Sequence, residues 1–172
     1  MLSLLSFPSF ATLTFDLTNP KYLEIADMYP SYELLRTINF EDTKGSDFEG
    51  YSFFSFKNKK DSEDWDTIFT ANIAESKGGE QKIYITLAIA CSDKDKGYEP
   101  ITIKTNGQNV KYNKFCNGSN TYITTLSKAG HNFLVNEFKK KDSVLFEFSD
   151  IKVIFDATGF TKAWNNAGGD AL

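Results

Sequence analysis

The acidic residues come nearest to a recognisable arrangement for chemistry. Asp61-Ser62-Glu63-Asp64-Trp65-Asp66 sets several carboxylates beside an indole, as sugar-binding and glycosidase sites do where two carboxylates face each other across a cleft. A run of neighbours defines no such cleft, so the segment reads as a solvated loop with Trp65 turned toward the core. A carbohydrate-active hydrolase using these acids is the alternative. Asp93-Lys94-Asp95-Lys96-Gly97-Tyr98-Glu99 alternates carboxylates before a glycine. Its lysines repel a cation, and no glutamate stands at the bidentate position of a calcium loop. The single histidine, His131, lies in Lys128-Ala129-Gly130-His131-Asn132. No local motif gives it a nucleophile or an orienting carboxylate, so it reads as an exposed turn residue. The chain has no G-x-S-x-G elbow, P-loop or H-E-x-x-H motif. No catalytic residue and no cofactor is assigned, and two isolated cysteines with one histidine supply too few ligands for a metal.

The remaining candidates concern binding. Cys91 ends the apolar segment Ile83–Ala90, and Cys116 sits in the turn-rich stretch Asn113–Asn120. In an exported chain an even cysteine count predicts one bridge, Cys91–Cys116. It would close a loop of about 25 residues and contribute roughly 3 kcal/mol in the chain-entropy view. Near that loop Tyr98, Tyr112, Phe115 and Tyr122 are the contact candidates, because loop aromatics offer large area with few rotors. Core packing is the competing use of each. Lys57-Asn58-Lys59-Lys60 and Lys139-Lys140-Lys141 read as loop ends and gatekeepers of edge strands rather than as one basic patch. The sequon Asn117-Gly118-Ser119 falls where a loop is expected.

These residues need elements to hold them, and the composition favours sheet. The chain has 172 residues, among them 16 Phe and 8 Tyr, an aromatic excess suited to pleated, half-buried surfaces. A net charge of -4 gives no attraction to phosphate backbones, so nucleic acid is not an expected partner. No apolar run reaches the roughly 18 residues of a transmembrane helix, so no transmembrane segment is expected. Met1–Ala11 combines the apolar run Leu2–Phe7 with small residues at Ser9 and Ala11. It reads as the remnant of a secretory signal peptide, followed by a single β-rich domain over residues 12–172 in a periplasmic or extracellular setting.

Alternation of apolar and polar residues predicts strands at Thr12–Leu17, Tyr51–Phe56, Thr67–Ile73, Lys82–Cys91, Ile101–Lys104, Val110–Tyr112, Tyr122–Leu126, Asn132–Phe138, Ser143–Phe148 and Ile151–Phe155. Asn106-Gly107 marks a tight hairpin between two of them. One helix is expected over Pro20–Met28. A second closes the chain, capped by Thr158, with Phe160, Ala163, Trp164 and Ala167 on one face and Gly168-Gly169 as its stop. The fold class is mainly β, an antiparallel β-sandwich or barrel of about nine strands with a short C-terminal helix.

The order of features in residues 80–167 resembles exported bacterial proteins of the invasion-associated locus B type. A hydrophobic strand ends in Cys91, then come a hairpin, Cys116, the turn Leu126-Ser127-Lys128-Ala129-Gly130, two strands, and Ile154-Phe155-Asp156-Ala157-Thr158-Gly159-Phe160 running into a helix. The resemblance implies a periplasmic or surface β-sandwich and transfers no catalytic residue. The leading expectation is a non-enzymatic exported module that binds a protein or cell-envelope component. A small immunity or exclusion factor that blocks one cognate partner is a further alternative. Oligomeric state is left open.

Overall fold

The structure is a computed structural model that describes residues 12–19, 32–58, 66–88, 97–116 and 120–167. Its strands are β1 (Leu13–Asp16), β2 (Tyr32–Ile38), β3 (Tyr51–Asn58), β4 (Asp66–Glu75), β5 (Gln81–Leu87), β6 (Glu99–Thr105), β7 (Gln108–Cys116), β8 (Thr121–Thr125), β9 (Ser143–Glu147) and β10 (Ile151–Asp156). Helix α1 (Lys128–Lys140) lies between β8 and β9, and α2 (Phe160–Asn166) follows β10. All ten strands form one sheet in the order β1-β10-β9-β6-β7-β8-β5-β4-β3-β2. Its pairings are antiparallel except for β1 on β10.

The chain is therefore mainly β with a short C-terminal helix, as the composition indicates. The architecture is a mixed sheet curled into a half-barrel rather than two stacked sheets. Curling brings the β1 side over β3 and β4. Phe15 meets the rings of Phe54 at 6.3 Å and Phe69 at 4.7 Å, and Ser52 Oγ donates to the Asp156 carbonyl at 3.2 Å. The inner face carries Phe54, Phe69, Ile85, Tyr112, Ile123, Phe146 and Phe155, all buried. The two helices cover it, so no second sheet is needed to exclude water.

Asn106 and Gly107 form the expected hairpin turn, with φ of 43° and 83°, the positive pair that a two-residue turn between twisted strands needs. Asn106 does more than turn the chain. Its Nδ2 donates to Glu137 Oε2 at 2.7 Å, its Oδ1 accepts from the Leu145 amide at 2.8 Å, and its own amide donates to the Leu145 carbonyl at 2.9 Å. One side chain thus ties the hairpin to α1 and β9.

Residues 132–138, expected as a strand, are helical. Ser127 caps α1 by accepting from the Gly130 amide at 3.1 Å, and Leu134 and Phe138 are buried one turn apart. His131 consequently sits in the first turn of this helix, half-buried beside Trp164 with ring centroids 5.8 Å apart, and is not an exposed turn residue. Lys139 and Lys140 occupy the last turn of α1, where cations complement the helix dipole. They guard no strand edge. Helix α2 begins after Gly159, not at a Thr158 cap. Gly159 has φ 81°, and a Cβ there would come within 2.4 Å of the Glu41 amide nitrogen. Strand β2 had no counterpart in the sequence reading. The expected helix Pro20–Met28, the end of the Lys82–Cys91 strand, and Gly168-Gly169 lie outside the described residues.

Candidate functional site

Side chains alternate across a strand, and the inward set on β5 to β8 is fixed by Ile83, Ile85, Ile103, Val110, Tyr112 and Ile123, each buried. The residues between them form the outer face, and the registers align them into two rows. The first runs Tyr98, Phe115, Tyr122, Thr86, Thr70, Phe53. The second runs Pro100, Asn113, Thr124, Tyr84, Asn72, Tyr51. None of the twelve side chains carries a charge at neutral pH, and together they cross six strands, about 24 Å at the usual strand spacing.

Three of the four aromatic contact candidates meet in the first row. The rings of Phe115 and Tyr122 stack at 4.9 Å and 11°, and Tyr98 leans on Phe115 at 5.5 Å and 53°. Because Phe115 and Tyr122 cover each other's faces, they stand as a support. Tyr98, 72% exposed, keeps an open ring face at the end of the row. Tyr112 belongs elsewhere. It points inward, fully buried, and its hydroxyl shares a 2.7 Å hydrogen bond with Thr105 Oγ1. Burial raises its phenol well above the ordinary range. Alternation explains the correction: Tyr112 stands an odd number of positions from both outward residues, one from Asn113 and three from Phe115, and so faces the other side of the strand.

At the opposite end of both rows stands Phe48, 57% exposed, from the turn-rich segment between β2 and β3. Its ring lies 5.9 Å from Phe53 and 6.1 Å, edge-on, from Tyr51. The sequence reading missed Phe48, Tyr51 and Tyr84 as surface residues, since which side of a strand faces water is decided by the curl of the sheet; Phe53 shares their side of the sheet but is buried beneath Phe48. Outward alternation with Tyr98 and Phe115 across paired strands was the available signal.

Charge gathers on the neighbouring part of the sheet. Glu147 lies 3.3 Å from both Lys104 and Lys152, and hydrogen bonds from these lysines hold its carboxyl below the usual range. Lys111 and Lys82 lie on outward positions just beyond the second row. Elsewhere, Glu80 is held low by its bond to Lys82 at 3.1 Å, and burial lowers His131. Among the described residues, one shallow hollow of about 390 Å³ lies between the β6–β7 hairpin and the start of α1, lined by Lys111, Ser127 and Phe133 among others. Another, of about 340 Å³, lies by Glu75, Gln81 and Ala167. Neither gathers a nucleophile and a base. Among the described residues no three His, Cys, Asp or Glu side chains converge as a metal site, and no helix is long and apolar enough to cross a membrane. Residues 61–65, 93–96 and the sequon, with Trp65 and Cys91, lie outside the described residues. Cys116 ends β7 and is not a free thiol.

No protein-family model, curated protein or solved structure matches the chain.

Proposed function

We propose that the protein is a non-enzymatic exported module that holds a cell-envelope component or protein against the outer face of β3 to β8. The observation that carries this reading is the Tyr98–Phe115–Tyr122 ladder. Three aromatic side chains converge on the outer face of the sheet, away from the helix-covered core, and Tyr98 at their end is 72% exposed. Tyrosine and asparagine around them match side chains that binding surfaces use for area and for adaptable hydrogen bonding.

A Cys91–Cys116 bridge fits the same picture. Cys116 and Leu87 both pair with Thr121 of β8, so they stand about 10 Å apart, two strand spacings. Cys91 follows Leu87 by four residues, a reach of roughly 13 Å. The bridge would pin the start of β8 beside Phe115 and Tyr122, in keeping with an oxidising compartment.

The test is co-sedimentation with cell envelopes of the source organism. Wild-type protein should pellet with the envelopes and Tyr98→Ser should stay in the supernatant with its thermal midpoint unchanged, Tyr98 being exposed. Equal pelleting of both proteins, or no pelleting of either, contradicts the reading.

A further inference from the structure

The outer face states what kind of partner it suits. Across twelve aligned positions it has no charge, while Lys111 and Lys82 border it on one side and the Lys104–Glu147–Lys152 group lies farther along the sheet. An ionic ligand docked there would lose water without gaining a counter-charge. The face is long and narrow, about 24 Å by about 14 Å for two rows, or roughly 300 Å². A stable protein interface covers roughly 800 Å² per partner, so a protein docked here would have to reach past the uncharged rows onto Thr102, Lys111 and Lys82. Of the three exposed large apolar side chains among the described residues, two stand at its opposite ends, Tyr98 and Phe48. Between them Asn113, Asn72, Thr70 and Thr86 present carboxamides and hydroxyls, which both donate and accept.

We infer that this face binds an extended, uncharged polysaccharide. Sugar rings have flat C–H faces that pack on exposed aromatic rings, here Tyr98 at one end and Phe48 at the other. Their hydroxyls exchange hydrogen bonds with the neutral amides and hydroxyls between. Phe115 and Tyr122 hold Tyr98 upright, and Phe53 and Tyr51 do the same for Phe48. An extended chain suits a strip that crosses six strands and opens at both ends.

The inference rests on the proposed binding role and deepens it, so its test separates the two. Envelopes are divided, one part digested with proteinase K and one oxidised with sodium periodate, which cleaves sugar diols. Protein should pellet fully with the proteinase-treated envelopes, and at least about tenfold less with the oxidised ones. Pelleting with untreated envelopes should persist at about 1 M salt, where exposed charge attraction is screened out. Phe48→Ala should weaken it about tenfold, as Tyr98→Ala should, with unchanged thermal midpoints. Loss after proteinase with survival after periodate overturns the polysaccharide in favour of a protein and leaves the binding role standing. Release by salt overturns the uncharged ligand. Failure to pellet with untreated envelopes overturns the binding role itself.

Discussion

At Tyr112 and Gly159 a single residue fixes how the chain packs over the curled sheet. Tyr112 is buried with its hydroxyl on Thr105, so removing one partner leaves the other a buried polar orphan. Thr105→Val should cost about 1–3 kcal/mol in urea unfolding. Thr105→Val combined with Tyr112→Phe should cost less than the two single changes added together, the sign of a direct pair. At Gly159 a positive φ coincides with the Glu41 backbone at 2.4 Å from any added Cβ. Gly159→Ala should therefore lower stability by about 2–4 kcal/mol, because backbone cannot move aside as a side chain can. His131 adds a pH term. Burial lowers its folded pKa from the ordinary 6.5, so the unfolded chain binds the proton first as the pH falls. Stability should decline as pH drops from about 6.5 toward the folded value, and His131→Gln should flatten that slope.

Among the elements, legibility followed how local the deciding physics was. The Asn106-Gly107 hairpin was readable because the turn's positive φ values name their residues. Strands β3 to β10 were readable because alternation survives in a half-buried sheet. Helix α1 was not, since Phe133-Leu134-Val135 reads equally as a strand. The deciding signals were the Ser127 cap and the one-turn spacing of Leu134 and Phe138. Strand β2 escaped because Leu34-Leu35 breaks a strict alternation, in keeping with the register shift between Tyr32 and Leu34. Asn106→Ala tests the joint between hairpin, α1 and β9. It should destabilise by about 1–3 kcal/mol and speed hydrogen exchange at the Leu145 amide, which loses its acceptor. Exchange unchanged at Leu145 would show that the three elements are joined some other way.

At the scale of the molecule, the sheet's curl separates an aromatic, helix-covered interior from an outer face divided into charged and uncharged parts. Neither the single curled sheet nor the outer rows could be read from sequence, because both depend on pairing between β5 and β8, which stand apart in the chain. What sequence did supply was the set Tyr98, Phe115 and Tyr122, placed near a hairpin and brought together by register. A Cys91–Cys116 bridge would act at this scale as well. Reduction should lower unfolding free energy by roughly 3 kcal/mol, and intact mass after alkylation should show no modified cysteine until a reductant is added. On the proposed reading the uncharged face makes the contact, so one charge placed inside the rows and one outside should have opposite effects. Thr86→Lys sits mid-row between Tyr122 and Thr70, whereas Thr102→Lys adds its charge beside Lys111, beyond the second row. With both variants folded, Thr86→Lys should lose envelope pelleting and Thr102→Lys should keep it. Equal pelleting of the two would mean that the contact is made elsewhere on the molecule.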